Sequence, residues 1–372
     1  VTPLDGRGNY SSEALPELLL NGTPFIDVRA PIEFAQGALP GAVNLPIMND
    51  EERARVGTTY KQRGPEAAIQ LGHNLVSGAV KEARVEAWRT QVRAFPDTVL
   101  YCFLGGLRSQ TAQSWLREAG AHRPLMVGGY KAGRTCLINV LQQFAETQNV
   151  LVVSGPTGSA KTALVKRAAE FYPSIDLEGL AQHRGSAFGA MSPTQPAQAL
   201  FENLLAVEVL RSERRFGGAG LRPLFEDESR LIGRSVIPEA LFVKIRGAKV
   251  LYVVETFEQR VQNIFSDYIA TSAIGQGAEV EALAVFERYK ASTRAISRRL
   301  GGLRTEEVLQ DLANSEQEFL AGRGLESNRE WIGKLLKYYY DPLYTNSFER
   351  RQPIVEFRGS GDEILEHLKI LR

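Results

Sequence analysis

Sulfur and imidazole are scarce in this 372-residue chain, which has two cysteines, three methionines and four histidines. Two cysteines cannot build a disulfide scaffold. Cys102 and Cys136, taken with His73, His122, His183 and His367, fall at no metal-ligand spacing, which argues against a zinc module. An excess of one charge is missing as well. Lys and Arg number 44 against 43 Asp and Glu, for a formal net charge of +1. The chain as a whole is therefore no strongly basic nucleic-acid binder, and an RNA site has to come from a local patch. No run approaches the roughly 18 apolar residues of a transmembrane helix. The sequence starts at Val1 without a charged-then-apolar leader, and a cytoplasmic location is the expectation. No internal repeat or low-complexity tract is visible, and the length allows two domains.

The most informative stretch is Asn149–Thr162, NVLVVSGPTGSAKT. A β-branched run, Val150–Val153, feeds a Gly-rich turn that opens into a helical pattern. The turn is nearly G-x-x-x-x-G-K-[ST], the phosphate-binding loop. Small residues let backbone N–H groups line one concavity for phosphate oxygens. The following helix aims its positive end at the same place. Gly155, Gly158 and Ser159 shape the expected phosphate site, Lys161 reaches the terminal phosphate, and Thr162 is the candidate Mg²⁺ ligand. Ala160 stands where Gly is usual; if that position needs a positive φ, Ala is strained there.

A second chemical arrangement lies upstream. Thr98–Tyr101 reads as a strand, and Cys102-Phe103-Leu104-Gly105-Gly106-Leu107-Arg108-Ser109 follows it into a helix, Ser109–Ala119. Loop N–H groups and a helix N-terminus stabilise a thiolate at Cys102 and an anion held against it. Gly105, Gly106 and Ser109 belong to that cradle, and Arg108 is placed to pair with the anion. Cys136, inside the apolar helical stretch Thr135–Phe144, reads as packing.

Elsewhere, residues Asn74–Phe95 suggest a helix with Val76, Val80, Ala83, Ala87 and Val92 on one face. Ser174–Gly189 is too rich in Asp, Glu, His, Arg and Gly to be core. In it Arg184 suits an anionic ligand, and Asp176 suits a Mg²⁺ or nucleophile-orienting role, or a helix cap. Gln195–Arg211 suggests a helix, with Arg211, Arg214 and Arg215 as a basic cluster near Gly217-Gly218. Leu224–Glu228 runs apolar residues into acids, either the acidic strand that assists a phosphate loop or a solvated loop. Ala248–Glu255 is the clearest later strand. Beyond Phe257 the chain reads as mostly helical. Lys290, Arg294 and Arg298 recur at a spacing of four and, with Tyr289, suggest a basic surface for an RNA backbone. Trp331 and Tyr338–Tyr340 lie beside lysines and suit base stacking or core packing. Strands alternating with helices argue for parallel sheets.

Ile26-Asp27-Val28-Arg29, Glu33-Phe34, the Gly37–Pro46 segment and the Cys102 loop resemble a rhodanese domain. In that family a loop cysteine carries sulfur or selenium, and residues matching Asp27 and Arg29 are structural. The C-x₅-R spacing is also that of cysteine phosphatases, but Tyr101 stands where those enzymes carry His. The expected fold class is α/β. A rhodanese-like α/β domain (1–134) leads through a connecting helix (135–147) into a P-loop parallel-sheet domain with a helical C-terminal region (148–372). With no Gly/Ser linker between them, the two domains are expected to pack together.

The pair of domains, the Cys102 loop, the Asp176–Gly189 segment and Glu226–Gly233 together resemble the tRNA 2-selenouridine synthase family over nearly the whole chain. The resemblance implies a transferase acting on the wobble 2-thiouridine of tRNA. It implies S-geranylation from geranyl diphosphate at the phosphate loop, then replacement of the geranylthio group by selenium from selenophosphate, with Cys102 serving the second step. Catalytic roles then fall to Cys102, Arg108, Lys161 and Asp176, diphosphate binding to the phosphate loop and Arg184, and tRNA binding to Arg211, Arg214, Arg215, Arg294 and Arg298. Mg²⁺ is the only cofactor implied, and no membrane partner is. The family loop carries Arg where this chain has Leu104. Competing readings are a nucleotide-driven sulfurtransferase or kinase, a cysteine phosphatase, and a non-catalytic RNA-binding module.

Overall fold

The computed structural model describes residues 8–186, 188, 195–217, 220–276 and 278–372; Ala187, Gly189 and Gly218 lie outside them. The chain divides into two compact units. One comprises residues up to Glu146 with Pro196–Arg211, and the other Thr147–Gln195 with Ser212–Arg372.

The first unit is built on a parallel sheet of order β2-β1-β3, with β1 Phe25–Asp27, β2 Ala42–Asn44 and β3 Val99–Tyr101. Phe25, Ile26 and Asp27 are all fully buried, as in a strand covered on both faces. Ile26, Val28, Leu100, Trp88, Trp115 and Leu116 join Cys102 in one core cluster. A helix over Asp50–Leu75 precedes one over Gly78–Ala94. The first starts on a capping box, in which Glu52 N donates to Asn49 Oδ1 at 2.8 Å and Asn49 N donates back to Glu52 Oε2 at 2.8 Å. It is interrupted at Gly64 (φ 82°, ψ −178°), just before Pro65.

The single helix expected over Asn74–Phe95 is corrected on two counts. The chain leaves helical geometry at Val76, Ser77 is extended, and Gly78 at φ +52° restarts the helix. The break resets the face: Val76, Trp88 and Val92 are buried, whereas Val80, Ala83 and Ala87 are exposed. Trp88, whose indole donates to Leu45 O at 2.9 Å, sets the register.

The second unit is a five-stranded parallel sheet of order β10-β9-β4-β6-β5. Its strands are β4 Leu151–Ser154, β5 Ser174–Ile175, β6 Leu224–Glu226, β9 Lys249–Val253 and β10 Val355–Gly359. A small antiparallel pair, β7 Leu231–Ile232 with β8 Ser235–Val236, stands apart. The chain leaves β4 for the edge strand β5 and returns through β6, so the ends of β4 and β6 lie side by side. Ligands bind at such strand ends in open α/β sheets. Helices fill most of residues 257–351, with a core that includes Phe286, Tyr289, Leu312, Trp331 and Leu336. Two π-helical turns, Ser266–Ala270 and Leu336–Tyr340, interrupt it. Among the described residues no helix is long and apolar enough to cross a membrane.

Candidate functional site

Each unit holds a site. In the first, Cys102 follows β3 directly and the helix Leu107–Glu118 begins behind Gly106. The thiol is 3% exposed, with Sγ 3.2 Å from Ser109 Oγ, and that hydroxyl donates to Gly106 O at 3.0 Å. The loop is clamped from outside: Tyr130 N donates to Cys102 O at 2.8 Å and Lys131 N to Phe103 O at 2.9 Å. This clamp dictates glycine. A Cβ on Gly129 (φ +57°) would sit 2.3 Å from Cys102 O and 2.4 Å from Gly105 N, and one on Gly105 (φ +66°) 2.7 Å from Gly128 N.

Arg108 is not a free cation awaiting an anion. It forms a two-point pair with Glu33, at 2.6 and 3.2 Å. Burial alone would push the Glu33 carboxyl up, but hydrogen bonds and charge from Arg108, the Ala30 N–H and the Arg53 charge hold it below its ordinary value. Asp27 and Arg29 lie in the core, paired at 2.6 Å; Arg29 also donates to Gly37 O at 2.7 Å and lies 4.0 Å over the Tyr130 ring. A cavity of about 660 Å³ opens beside these groups, with Arg53, Phe103, Arg108, Lys131 and Arg134 in its wall. Glu33 also lines it, pairing with Arg53 at 3.7 Å as well as with Arg108, and Arg134 pairs with Glu202, so the cations exceed the carboxylates at this recess next to the Cys102 loop and a small oxyanion suits it. Leu104 is exposed and does not line it. Cys136 is partly buried, and burial pushes its thiol up.

In the second unit the phosphate loop leaves β4 and ends at the helix Lys161–Ala168. The first N–H groups of a helix have no intrahelical partner and face the loop. Lys161 Nζ donates to Gly155 O at 2.8 Å and Pro156 O at 3.3 Å, so the ammonium caps the loop itself. Loop carbonyls facing away are held by Arg260 Nε to Thr157 O and Asn263 Nδ2 to Gly158 O, both 2.8 Å. Gly158 is required, since its Cβ would meet Arg260 O at 2.8 Å. Ala160 does adopt the left-handed conformation, at φ 55° and ψ 33°. Ser159 is spent on the turn, its hydroxyl donating to Pro156 O at 2.8 Å.

Around the loop lies a group of carboxyls that the sequence reading underweighted. Thr162 Oγ1 donates to Glu178 Oε2 at 2.8 Å. Glu178 N donates to Glu226 Oε2 at 3.4 Å, while Glu226 Oε1 is buried without a partner. A Cβ on Gly185 would meet both Glu228 and Glu178 within 2.8 Å. Burial, then mutual repulsion, pushes Glu226 well above its ordinary value and Glu228 up to about 8; burial also raises Glu178. Glu226 is buried at the end of β6 and Glu228 half-buried just after it, so neither lies in a fully solvated loop. The signal in the sequence was the apolar run of β6 ending in acids.

Asp227 faces elsewhere, bonded by Arg351 at 2.5 and 2.7 Å and by the Ser154 hydroxyl. Asp176 is a helix cap, accepting from Gly179 N at 2.7 Å, and pairs with Lys166 at 3.4 Å. Arg184 stacks 4.8 Å from the Tyr268 ring. Among the described residues no three His, Cys, Asp or Glu side chains form a metal group. The oxygens of Thr162, Glu178 and Glu226 nonetheless fit Mg²⁺, which takes few protein ligands beside phosphate and water. Glu226 Oε1, buried without a partner, is the atom that such an ion would satisfy.

The basic candidates divide. Arg294 and Arg298 are exposed. Lys290 is neutralised by Glu287 and Glu316, and Tyr289 is buried against Trp331 and Phe188, so neither offers itself to RNA. Arg211 pairs with Glu208 at 3.4 Å, Arg214 lies in the last turn of Gln198–Phe216, and Arg215 caps Ala169 O and Glu170 O. Trp331 and Tyr339 are core residues rather than a stacking platform.

Fold and sites together define a chain joining a rhodanese-like unit, with its loop cysteine, to a P-loop α/β unit with a helical C-terminal region. Family models agree: a rhodanese-like domain matches residues 11–135 and a tRNA 2-selenouridine synthase AAA domain matches residues 148–371. Curated relatives extend the match to nearly full length. A tRNA 2-selenouridine synthase of Bdellovibrio bacteriovorus is 50% identical, over 95% of this chain and 97% of its own. Those of Nitrosomonas eutropha and Shewanella denitrificans are 46% and 44% identical, over 97% of this chain in each case and 97% and 98% of their own. The chain belongs to the tRNA 2-selenouridine synthase family.

Proposed function

We propose that this protein converts the wobble 2-thiouridine of tRNA to 2-selenouridine in two transfers. The observation that carries the reading is the co-occurrence, in one chain of this family, of a diphosphate-type loop and a clamped cysteine loop beside a cation-lined recess. In the first transfer the thiocarbonyl sulfur attacks C1 of geranyl diphosphate. The C–S bond forms as the C1–O bond breaks, pyrophosphate leaves with the electron pair, and the base's N3 proton passes to solvent. The Lys161 ammonium and the loop N–H groups meet the charge growing on the leaving group, which requires Lys161 to swing from Gly155 O onto phosphate. Mg²⁺ held at Thr162 with Glu178 and Glu226 would add Lewis-acid stabilisation of the same oxygens.

In the second transfer selenium replaces the geranylthio group at C2. Hydrolysis of the P–Se bond of selenophosphate yields phosphate and selenide. Selenide forms the C2–Se bond, and the C2–S bond breaks with geranylthiolate leaving. Cys102 serves this step. Selenium in selenophosphate is already at the selenide level, so storing it on Cys102 as a persulfide analogue requires a two-electron oxidant. Attack of the Cys102 thiolate on C2 with geranylthiolate leaving, followed by attack of selenide on C2 with the Cys102 thiolate leaving, gives that net exchange and balances without one. In the recess Arg53 and Arg134 are paired with Glu33 and Glu202, and Lys131 supplies the charge to hold the selenophosphate oxygens.

The test is incubation with 2-thiouridine tRNA, geranyl diphosphate and Mg²⁺, with and without selenophosphate, followed by mass spectrometry of the nucleosides. Geranylated nucleoside is expected without selenophosphate and selenouridine with it. Lys161→Ala should block the first product and Cys102→Ala only the second. Unchanged tRNA mass from the wild type would refute the reading. Loss of both products in both variants would refute the division between the two sites.

A further inference from the structure

A second cavity of the first unit, of about 260 Å³, has a mainly apolar lining. Val56, Ala68, Ile69, Val76, Leu107 and Trp115 belong to its wall, which also includes His73, Arg108 and Thr111. Resting on the function proposed above, we propose that this cavity binds the isoprenoid chain of the geranylated base during the selenium step.

Three observations converge. The first is position. Ile47, Val76 and Trp115 of the wall belong to the same buried cluster as Cys102, and Leu107 starts the helix that the Cys102 loop feeds. Arg108 lines both this cavity and the cation-lined recess. The Arg108–Glu33 pair thus stands where an apolar compartment meets a polar one, matching a substrate whose selenium donor is an oxyanion and whose leaving group carries a hydrocarbon. The second is size. The pocket is open at its rim and holds about 260 Å³. It falls just below the roughly 300–1,000 Å³ of pockets for drug-sized ligands, which suits a short hydrocarbon. The third is access. Tyr60, Ile69 and Leu107 are 59%, 40% and 52% exposed, an apolar rim on the surface. The Gly64-Pro65 break in Asp50–Leu75 lies at the same place, with Pro65 in the wall. A continuous helix would not turn there.

Geranyl diphosphate needs a chain site too, at the phosphate loop. The slot there, walled by Thr157, Ile264, Trp331 and Leu335, encloses only about 20 Å³, the space of one water. As the described residues form it, the slot is too small for ten carbons.

The experiment uses the full chain with Ile69→Glu, which charges the rim, and Ala68→Phe, which fills the interior; circular dichroism confirms that each folds. Selenium transfer is measured with tRNA carrying S-geranyl-2-thiouridine and with tRNA carrying S-methyl-2-thiouridine. Binding of the S-geranyl-2-thiouridine nucleoside is measured directly by saturation-transfer NMR. The expected result is a KM raised tenfold or more for the geranyl tRNA and weakened nucleoside binding. Transfer from the methyl tRNA and geranyl diphosphate consumption should be unchanged. Should Ala68→Phe not fold, Ile69→Glu decides alone. Wild-type KM and nucleoside binding in Ile69→Glu would overturn the proposal. So would loss of nucleoside binding in Ile264→Glu but not in Ile69→Glu, which puts the chain in the slot at Thr157. If wild type makes no geranylated tRNA from geranyl diphosphate, the proposed function fails, while the nucleoside arm still decides the cavity.

Discussion

Ala160 tests how far backbone strain is tolerated in the phosphate loop. It sits at φ 55°, ψ 33°, immediately before Lys161. For a residue with a Cβ this left-handed conformation costs roughly 1–2 kcal/mol. Ala160→Gly removes that cost but gives the unfolded chain more freedom, worth about 0.4–1 kcal/mol in the other direction. The net expectation is a gain of about 0.5–1 kcal/mol. One kcal/mol moves Tm by about 2–4 °C for a unit of roughly 150–250 residues, so calorimetry should show the second unit melting about 1–4 °C higher. Two further positions share the conformation, Gln182 at φ 50° and Gln352 at φ 47°, each just past a helix end. Their replacement by Gly should shift Tm in the same direction. Gly158→Ala, in the same loop, should act oppositely, because its Cβ meets Arg260 O at 2.8 Å and φ is +86°. Since Ala160 already holds the left-handed turn, geranyl diphosphate KM should move less than threefold in Ala160→Gly. A lower Tm for Ala160→Gly with a higher one for Gln352→Gly would refute the strain argument at the loop.

Gly129→Ala should reach the cysteine site through backbone alone. A Cβ 2.3 Å from Cys102 O must displace the loop, so selenium incorporation should fall at least tenfold while geranylation persists, read by nucleoside mass spectrometry. Arg351→Met should destabilise by about 2–3 kcal/mol in urea titrations, since Asp227 is left buried with only the more distant Arg246, at 3.6 Å, to balance it. Adding Asp227→Asn should recover part of the loss. Glu356 is held at about 2, first by the Arg222 hydrogen bonds at 2.6 and 2.8 Å. Its folded-state value lies below the ordinary 4.5, so its contribution is complete above that pH and disappears as pH falls toward 2. Glu356→Gln should flatten this acid limb by about 1 kcal/mol, the scale of a partly exposed pair.

What could be read in advance follows from how local each feature is. The phosphate loop and the Cys102 loop are contiguous and carry their glycines in sequence. The left-handed Ala160 followed from motif position, and the parallel sheets from strands alternating with helices. Features set by distant partners were hidden. Arg108 looked like a free anion clamp because Glu33, 75 residues away, does not announce itself as its partner. The spacing of Lys290, Arg294 and Arg298 is real, yet Glu316 on another helix cancels the first of them. The helix Asp50–Leu75 had no counterpart in the sequence reading; Gly64-Pro65 breaks it, and Pro65 lines the apolar cavity. Asp176 and Glu178 show the same limit within one short segment. The sequence left Asp176, at a strand end, between a chemical group and a helix cap and gave Glu178 no role. Folding gives Asp176 to a helix cap and turns Glu178 onto Thr162, because the return of the chain through β6 places Glu226 behind it. The choice between two carboxylates two residues apart was made by strand order in the sheet, a property that no local pattern contains.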